Sequence, residues 1–327
     1  MNNKFDEFTK NLAQSVTRRA ALRKFGVGLA GMALACFSLA GQANAAPTFS
    51  TIDYPGSVFT TSGGINRFGD VVGHYIDAAG IEHGYLLRKG TYTTVDFPGS
   101  DGGHVHDINS SGAIVGEYFV AKRYKGFVVS GGAYTSIEVP GAQSTRANGI
   151  NTAGDIVGTY FGSNSDTTGG SNGSKGHGFL LSGGIFRTID FPGADYTDAW
   201  RINDKGQILG RYKNGNGDFH IFLVTTDGAS TSIDYPGASQ TAMGDYSQLG
   251  GLNNNGDIAS GYCSSSSNCE VASFGSLHGF VLNAGAFTPL DVPGAAGTLA
   301  FDVNDRGLIV GGYTDANLRV HGFLRAP

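Results

Sequence analysis

The chain has 327 residues, 53 of them glycine, with 15% charged residues and a formal net charge of −5. Beyond residue 45 the balance is more acidic, 16 Lys/Arg against 25 Asp/Glu, which argues against a nucleic-acid partner because phosphate binding needs a basic face. Abundant glycine with few helix-length apolar patterns points to turns and strands.

The N-terminus reads as an export signal. Thr17-Arg18-Arg19-Ala20-Ala21-Leu22-Arg23-Lys24 precedes an apolar run from Phe25 to Leu39, and Ala43-Asn44-Ala45 supplies small residues for cleavage after Ala45. The pattern is of the twin-arginine type, although Ala21 stands where a bulky apolar residue is usual, which leaves the general secretory route open. The run is short and glycine-rich for a membrane span, which needs about 20 residues, and Ala33 is a poor partner for lipidation at Cys36. The expectation is a signal peptide over 1–45, a single domain over 46–327 and a periplasmic or extracellular location.

From Ala46 onward one pattern recurs six times, anchored by an acid before Pro-Gly at Asp53, Asp96, Glu138, Asp190, Asp234 and Asp291. After each comes an Asn-x-x-Gly turn (Asn66, Asn109, Asn151, Asn203, Asn253 and Asn304 in first place), then an apolar run ending in Tyr. His-Gly-Phe or a close relative follows, and a tight turn then leads into the next Thr-x-Ile-Asp. Asn first and Gly fourth suits a type I turn closed by a left-handed glycine. The second turn is a two-residue loop at Lys89-Gly90, Gly131-Gly132, Gly183-Gly184 and Ala284-Gly285, and a longer one at Thr226-Asp227-Gly228. Each unit therefore supplies four strands.

Counting outward from these loops sets a base opposite an acid in every unit: His83 and Asp96, Lys125 and Glu138, His177 and Asp190, His220 and Asp234, His278 and Asp291. His321 has no acid after it and Asp53 no histidine before it, so docking the first strand beside the last completes both. The predicted fold is all-β: a six-bladed β-propeller with four antiparallel strands per blade, closed by the N-terminal strand joining the C-terminal blade, which hides the sheet edges.

The stretches "HGFLL", "GINTAGDIVGTY" and "TIDFPG" resemble the extracellular repeats called the HAF family, with His177-Gly178-Phe179 in place of His-Ala-Phe. The resemblance covers essentially all of the chain after the export signal. It implies secretion and repetition and names no reaction.

Function is expected on the disc face that carries the variable connections, including the long insertions at 161–176 and 263–276, because loops on a rigid scaffold are where binding residues concentrate. Two positions per blade should approach the axis there. The start of the inner strand gives His106, Asn148, Trp200, Arg201 and Phe301; the residue before each Tyr gives His74, Glu117, Thr159, Arg211, Gly261 and Gly312. Residues that do not repeat around the ring form the candidate ligand-binding set: His74, His104, His106, Glu117, Trp200, Arg201 and Arg211, with Arg146 on a neighbouring loop. Cys263 and Cys269 read as a local disulfide, and no further ligands at suitable spacing make them a metal site. No nucleophile elbow, zinc helix or phosphate loop occurs, so neither metal nor cofactor is expected. The function that follows is an exported non-catalytic binding or scaffold propeller, a monomer, for a glycan, peptide or cell-envelope component. The alternative is a polysaccharide lyase or hydrolase at the axial mouth, using His106 or His74 with Glu117 for proton transfer.

Overall fold

Each Asn-x-x-Gly turn reverses the chain because its side chain satisfies the backbone of the turn. In the computed structural model, which describes residues 47–162, 176–241, 250–264 and 277–327, Asn66 Oδ1 accepts the amides of Phe68 and Asp70, both at 3.0 Å. The closing glycine is left-handed, φ 88° at Gly69, which a side chain would strain. The Lys89-Gly90 loop has φ 50° and 79°, as a two-residue hairpin turn requires.

These turns fold the chain into six antiparallel sheets. Blade 1 holds Phe59–Ile65, Val71–Ile76, Glu82–Arg88 and Thr91–Thr94, and blade 2 holds Gly103–Ile108, Ile114–Val120, Arg123–Ser130 and Ala133–Ile137. Blade 3 holds Ser144–Ile150, Ile156–Phe161, Gly176–Ser182 and Ile185–Ile189; blade 4 holds Tyr196–Ile202, Ile208–Lys213, Phe219–Val224 and Ser230–Ile233. In blade 5 the inner position is described as Gln240–Thr241 and Gly250–Leu252, followed by Ile258–Cys263, Leu277–Asn283 and Ala286–Leu290. Blade 6 holds Gly297–Val303, Ile309–Thr314 and Val320–Ala326, and its outer strand is Thr48–Ile52 from the other end of the domain. The ring therefore closes as the unpaired His321 and Asp53 require: Thr48 faces Ala326, Ile52 faces Gly322, and His321 Nδ1 lies 2.9 Å from Asp53 Oδ1.

The other five pairs also form, with contacts of 2.7 Å for His83–Asp96, 3.0 Å for Lys125–Glu138, 2.9 Å for His177–Asp190, 2.7 Å for His220–Asp234 and 3.0 Å for His278–Asp291. They sit on the outer rim and are half-exposed; the Asp190 side chain keeps 44% of its surface in solvent. Above them runs an aromatic stack absent from the sequence reading. In five blades the repeated Tyr lies against the histidine of its own blade, 5.1 Å between centroids for Tyr75–His83, whereas Tyr118 has Lys125 there; the same Tyr also meets the residue before the preceding proline. Tyr54 stacks on Tyr75 at 3.7 Å, Phe97 on Tyr118 at 3.9 Å and Tyr235 on Tyr262 at 3.7 Å. The D-x-P-G segment thus clamps its blade to the next one.

The core lies between blades. The aromatic third in His-Gly-Phe is fully buried in all six, as Tyr85, Phe127, Phe179, Phe222, Phe280 and Phe323. On the turn side the asparagine amides link neighbours: Asn109 Nδ2 donates to Asn151 O at 2.9 Å, Asn253 to Asn304 O at 3.1 Å and Asn304 to Asn66 O at 2.9 Å, the last across the closure.

Candidate functional site

Five inner strands carry the same irregularity, and it aims the axial side chains. The register of each slips by one residue, between Ser62 and Gly64, Val105 and Asp107, Ala147 and Gly149, Ala199 and Arg201, and Ala300 and Asp302. A bulge turns its extra residue off the ladder, and here that residue is Gly63, His106, Asn148, Trp200 or Phe301. Three tiers of side chains result along the axis.

The tier nearest the turns alternates glycine with charge: Gly64, Asp107, Gly149, Arg201, Gly251, Asp302. There is room for nothing larger at the glycines, since a Cβ on Gly64 would collide with Asp107, one on Gly149 with Trp200 and Arg201, and one on Gly251 with Asp302. Arg201 spans the channel, donating to Asn148 O and Trp200 O at 3.0 Å each, to Gly63 O at 2.7 Å and to His106 O at 3.2 Å. Asp302 accepts Ile65 N at 2.8 Å, Asp107 accepts Ile150 N at 2.9 Å, and Arg201 Nε lies 3.6 Å from Asp302. Burial raises both carboxyls, Asp302 to about 7, because one guanidinium serves two acids. Arg201 was expected at the mouth on the loop-bearing side; it stands in the tier nearest the turns and ties four blades together.

The tier nearest the variable loops consists of cross-strand partners: Thr61 with His74, His104 with Glu117, Arg146 with Thr159, Asp198 with Arg211 and Leu299 with Gly312. His74, His104, His106, Glu117 and Arg146 come together. Five of the eight histidines stand in rim pairs, and the other three converge here, with His74 and His104 rings 4.4 Å apart and His104 and His106 6.1 Å apart. His104 Nδ1 is 3.2 Å from Glu117 Oε1 and its Nε2 is 3.0 Å from Glu82 Oε2, while Arg146 Nε approaches Glu117 Oε2 at 2.9 Å. Burial would lower His104, but its bonds to Glu117 and Glu82 prevail and lift it to about 9. Burial would likewise raise Glu117, and Arg146 first, then the histidines, hold it well below the usual carboxylate range. His74 is pushed far down by burial and by its two imidazole neighbours, and His106 is lowered by burial.

Arg211 and Trp200 belong to a second group. Arg211 Nε bonds Asp198 Oδ2 at 2.6 Å, and the Trp200 indole reaches the same oxygen at 3.3 Å. Trp200 packs with Cys263, Leu277 and Leu299, so blades 5 and 6 present an apolar wall. There a narrow cleft of about 40 Å³ is lined by Phe59, Thr61, Leu277, Leu299, Phe301 and Val320, next to His74, which Thr61 hydrogen-bonds at 2.9 Å. Cys263 is fully buried; Cys269, its expected disulfide partner, lies outside the described residues, as does most of both long insertions.

Sequence reasoning missed Asp198, Glu82, Asp107 and Asp302. A count outward from the Asn203 turn would have set Arg211 opposite Ala199; the bulge at Trp200 shifts the register by one and brings Asp198 there instead. Nothing local marks Asp302, whose partners include Ile65, 237 residues away, and Arg201, two blades away.

No family model matches the chain, and no curated protein matches it. Solved structures do, at low identity. A point mutant of the Aleuria aurantia lectin in complex with Fucα1-6GlcNAc is 11% identical, with a TM-score of 0.50 over 82% of this chain and 93% of the lectin. A candidate TolB from Agrobacterium tumefaciens is 12% identical, with a TM-score of 0.53 over 82% and 90%. A triple arginine mutant of AofleA from Arthrobotrys oligospora is 13% identical, with a TM-score of 0.50 over 85% and 86%. With its six four-stranded sheets and its closure, the chain is a six-bladed β-propeller, a fold similar to that of these proteins.

Proposed function

We propose that this is an exported, non-catalytic binding propeller of the HAF repeat type that holds a glycan of the cell envelope over the loop-bearing end of its axis. One observation carries the reading: at that end the tiers do not repeat, and they divide into a charged side from blades 1–4 and an apolar side from blades 5 and 6 that extends to Phe59 at the edge of blade 1. Sugars offer hydroxyls to the first and C–H faces to the second. Glu82 is half-exposed, and His104 and Arg146 reach the surface beside it, while Phe59 and Leu299 line the apolar cleft. The lectin of similar fold, in complex with Fucα1-6GlcNAc, supports the class of ligand only through its architecture.

The catalytic alternative asks for His106, Glu117 and Arg211 at one substrate. His106 and Glu117 are 0% and 1% exposed, behind His104 and Arg146, and Arg211 is spent on Asp198, which favours binding over proton transfer. A glycan array followed by calorimetry on the exported protein tests the reading. The expected result is binding that Arg146→Ala and Glu82→Gln weaken about tenfold each, the size of one lost charge-assisted hydrogen bond. Binding that survives both substitutions unchanged, or an array without hits alongside capture of peptides, overturns it.

A further inference from the structure

Beneath the mouth, one nitrogen or oxygen donor from each of His104, His106 and Glu117 lies within 4.8 Å of the others. Glu117 Oε1 is the centre, 3.2 Å from His104 Nδ1 and 3.9 Å from His106 Nε2, the second too long for a hydrogen bond. His106 is 0% exposed, and neither of its ring nitrogens has a hydrogen-bond partner among the described residues. Buried imidazoles are almost always satisfied. This one is aimed by its bulge at a carboxylate and a second imidazole.

We propose that His104 Nδ1, His106 Nε2 and Glu117 Oε1 form a site for a divalent transition-metal ion, with Zn²⁺ as the representative. Two imidazoles and one carboxylate suit zinc and its neighbours, whereas calcium and magnesium take oxygen ligands. The surrounding contacts are those such a site uses. Glu82 Oε2 sits 3.0 Å from His104 Nε2, leaving Nδ1 to face the centre in a carboxylate–histidine–metal relay. Arg146 holds the other oxygen of Glu117 at 2.9 Å and so leaves Oε1 for the ion. Tetrahedral zinc with bonds of about 2.1 Å places its donors about 3.4 Å apart. The His104–Glu117 pair meets this already, and His106 has only to swing inward by about an ångström. Three protein donors leave the fourth position open, and the ion enters past His104, whose side chain is 13% exposed.

The test is metal binding by the whole exported protein after chelator stripping, with Zn²⁺ measured by competition against a chromophoric chelator and Co²⁺ read by its visible spectrum. The expected result is one equivalent bound, about 100-fold or more weaker in His106→Ala and in Glu117→Gln, and roughly 10- to 100-fold weaker in Glu82→Gln, which removes only the supporting carboxylate. Cobalt should show nitrogen–oxygen bands without thiolate charge transfer. A folded, stripped parent that takes up no zinc overturns the proposal. So does affinity unchanged in His106→Ala, or a cobalt–thiolate band, which requires a free cysteine sulfur and places the ion away from the three proposed donors. Should His106→Ala fail to fold, the partly exposed His104→Gln and the cobalt spectrum of the parent decide in its place.

Discussion

The rim and the axis hold the same kinds of side chain to opposite effect. At the rim a base meets an acid in all six blades, always in one register, with the acid half in water. At the axis no pairing recurs: Arg201 lies across from Asp302, Arg211 against Asp198, Arg146 and His104 against Glu117, all nearly dry. Exposed pairs contribute little because water and salt screen them. Buried ones are costly to break, because the abandoned charge has no solvent to turn to. Repetition at the rim is therefore a matter of register and packing, and variety at the axis is where energy and chemistry concentrate.

The largest effect expected anywhere comes from the one place where the rim is also a seam. A protein lacking residues 46–56 exposes the ladder edge of Val320–Ala326 and loses the Tyr54–Tyr75 stack, so denaturant melts should show a loss on the order of 5 kcal/mol or more, about one for each abandoned backbone bond. A truncated protein that melts like its parent would end the closure argument. Next in size is Arg201→Ala, expected to cost about 3–5 kcal/mol because four carbonyls and two buried acids lose their cation. A loss below 1 kcal/mol would put the axis on a par with the rim.

A smaller, pH-dependent difference follows from Asp302. Its carboxyl is raised in the folded protein, so the fold prefers it protonated; that preference is fully present below the unfolded carboxylate range and is lost as pH rises through about 7. Relative to Asp302→Asn, which does not titrate, the parent should lose ground between pH 4 and pH 8, on the order of 1 kcal/mol for each unit of pKa shift. Parallel stability curves for the two proteins would refute it. The smallest effect belongs to Asp190→Ala. A pair buried within its blade would cost 1–3 kcal/mol to break, but this one is exposed, and thermal melts should register less than about 1 kcal/mol.

The fold was legible because its signals are local and repeated. Asn66-Arg67-Phe68-Gly69 specifies its own reversal, Gly183-Gly184 fixes the register that sets His177 against Asp190, and the leftover His321 and Asp53 identify each other by elimination. The site was legible only in part. Non-repetition singled out His74, His106 and Glu117 as ligand-binding candidates, and the ring brings them close together, since whatever departs from the pattern at an axial position meets other departures there. Height along the axis was not readable. A bulge at His106 or Trp200 leaves no mark in the spacing of apolar residues, yet it sets Arg201 in the tier nearest the turns rather than at the mouth. Contacts such as Arg201 with Gly63 join positions 138 apart, and only the assembled ring brings them together.

The seam also has a kinetic meaning. Five rim pairs join residues 13 or 14 positions apart, whereas His321 and Asp53 are separated by 268. Loop-closure entropy, (3/2)RT ln n, is about 2 kcal/mol for the short separations and about 5 for the long one. The unfolded chain therefore samples the closing pair roughly a hundred times less often than any of the others. Blades can form in any order as their own hairpins find register, but the ring is sealed last, and a thermally excited molecule should open first along the line between Thr48–Ile52 and Val320–Ala326.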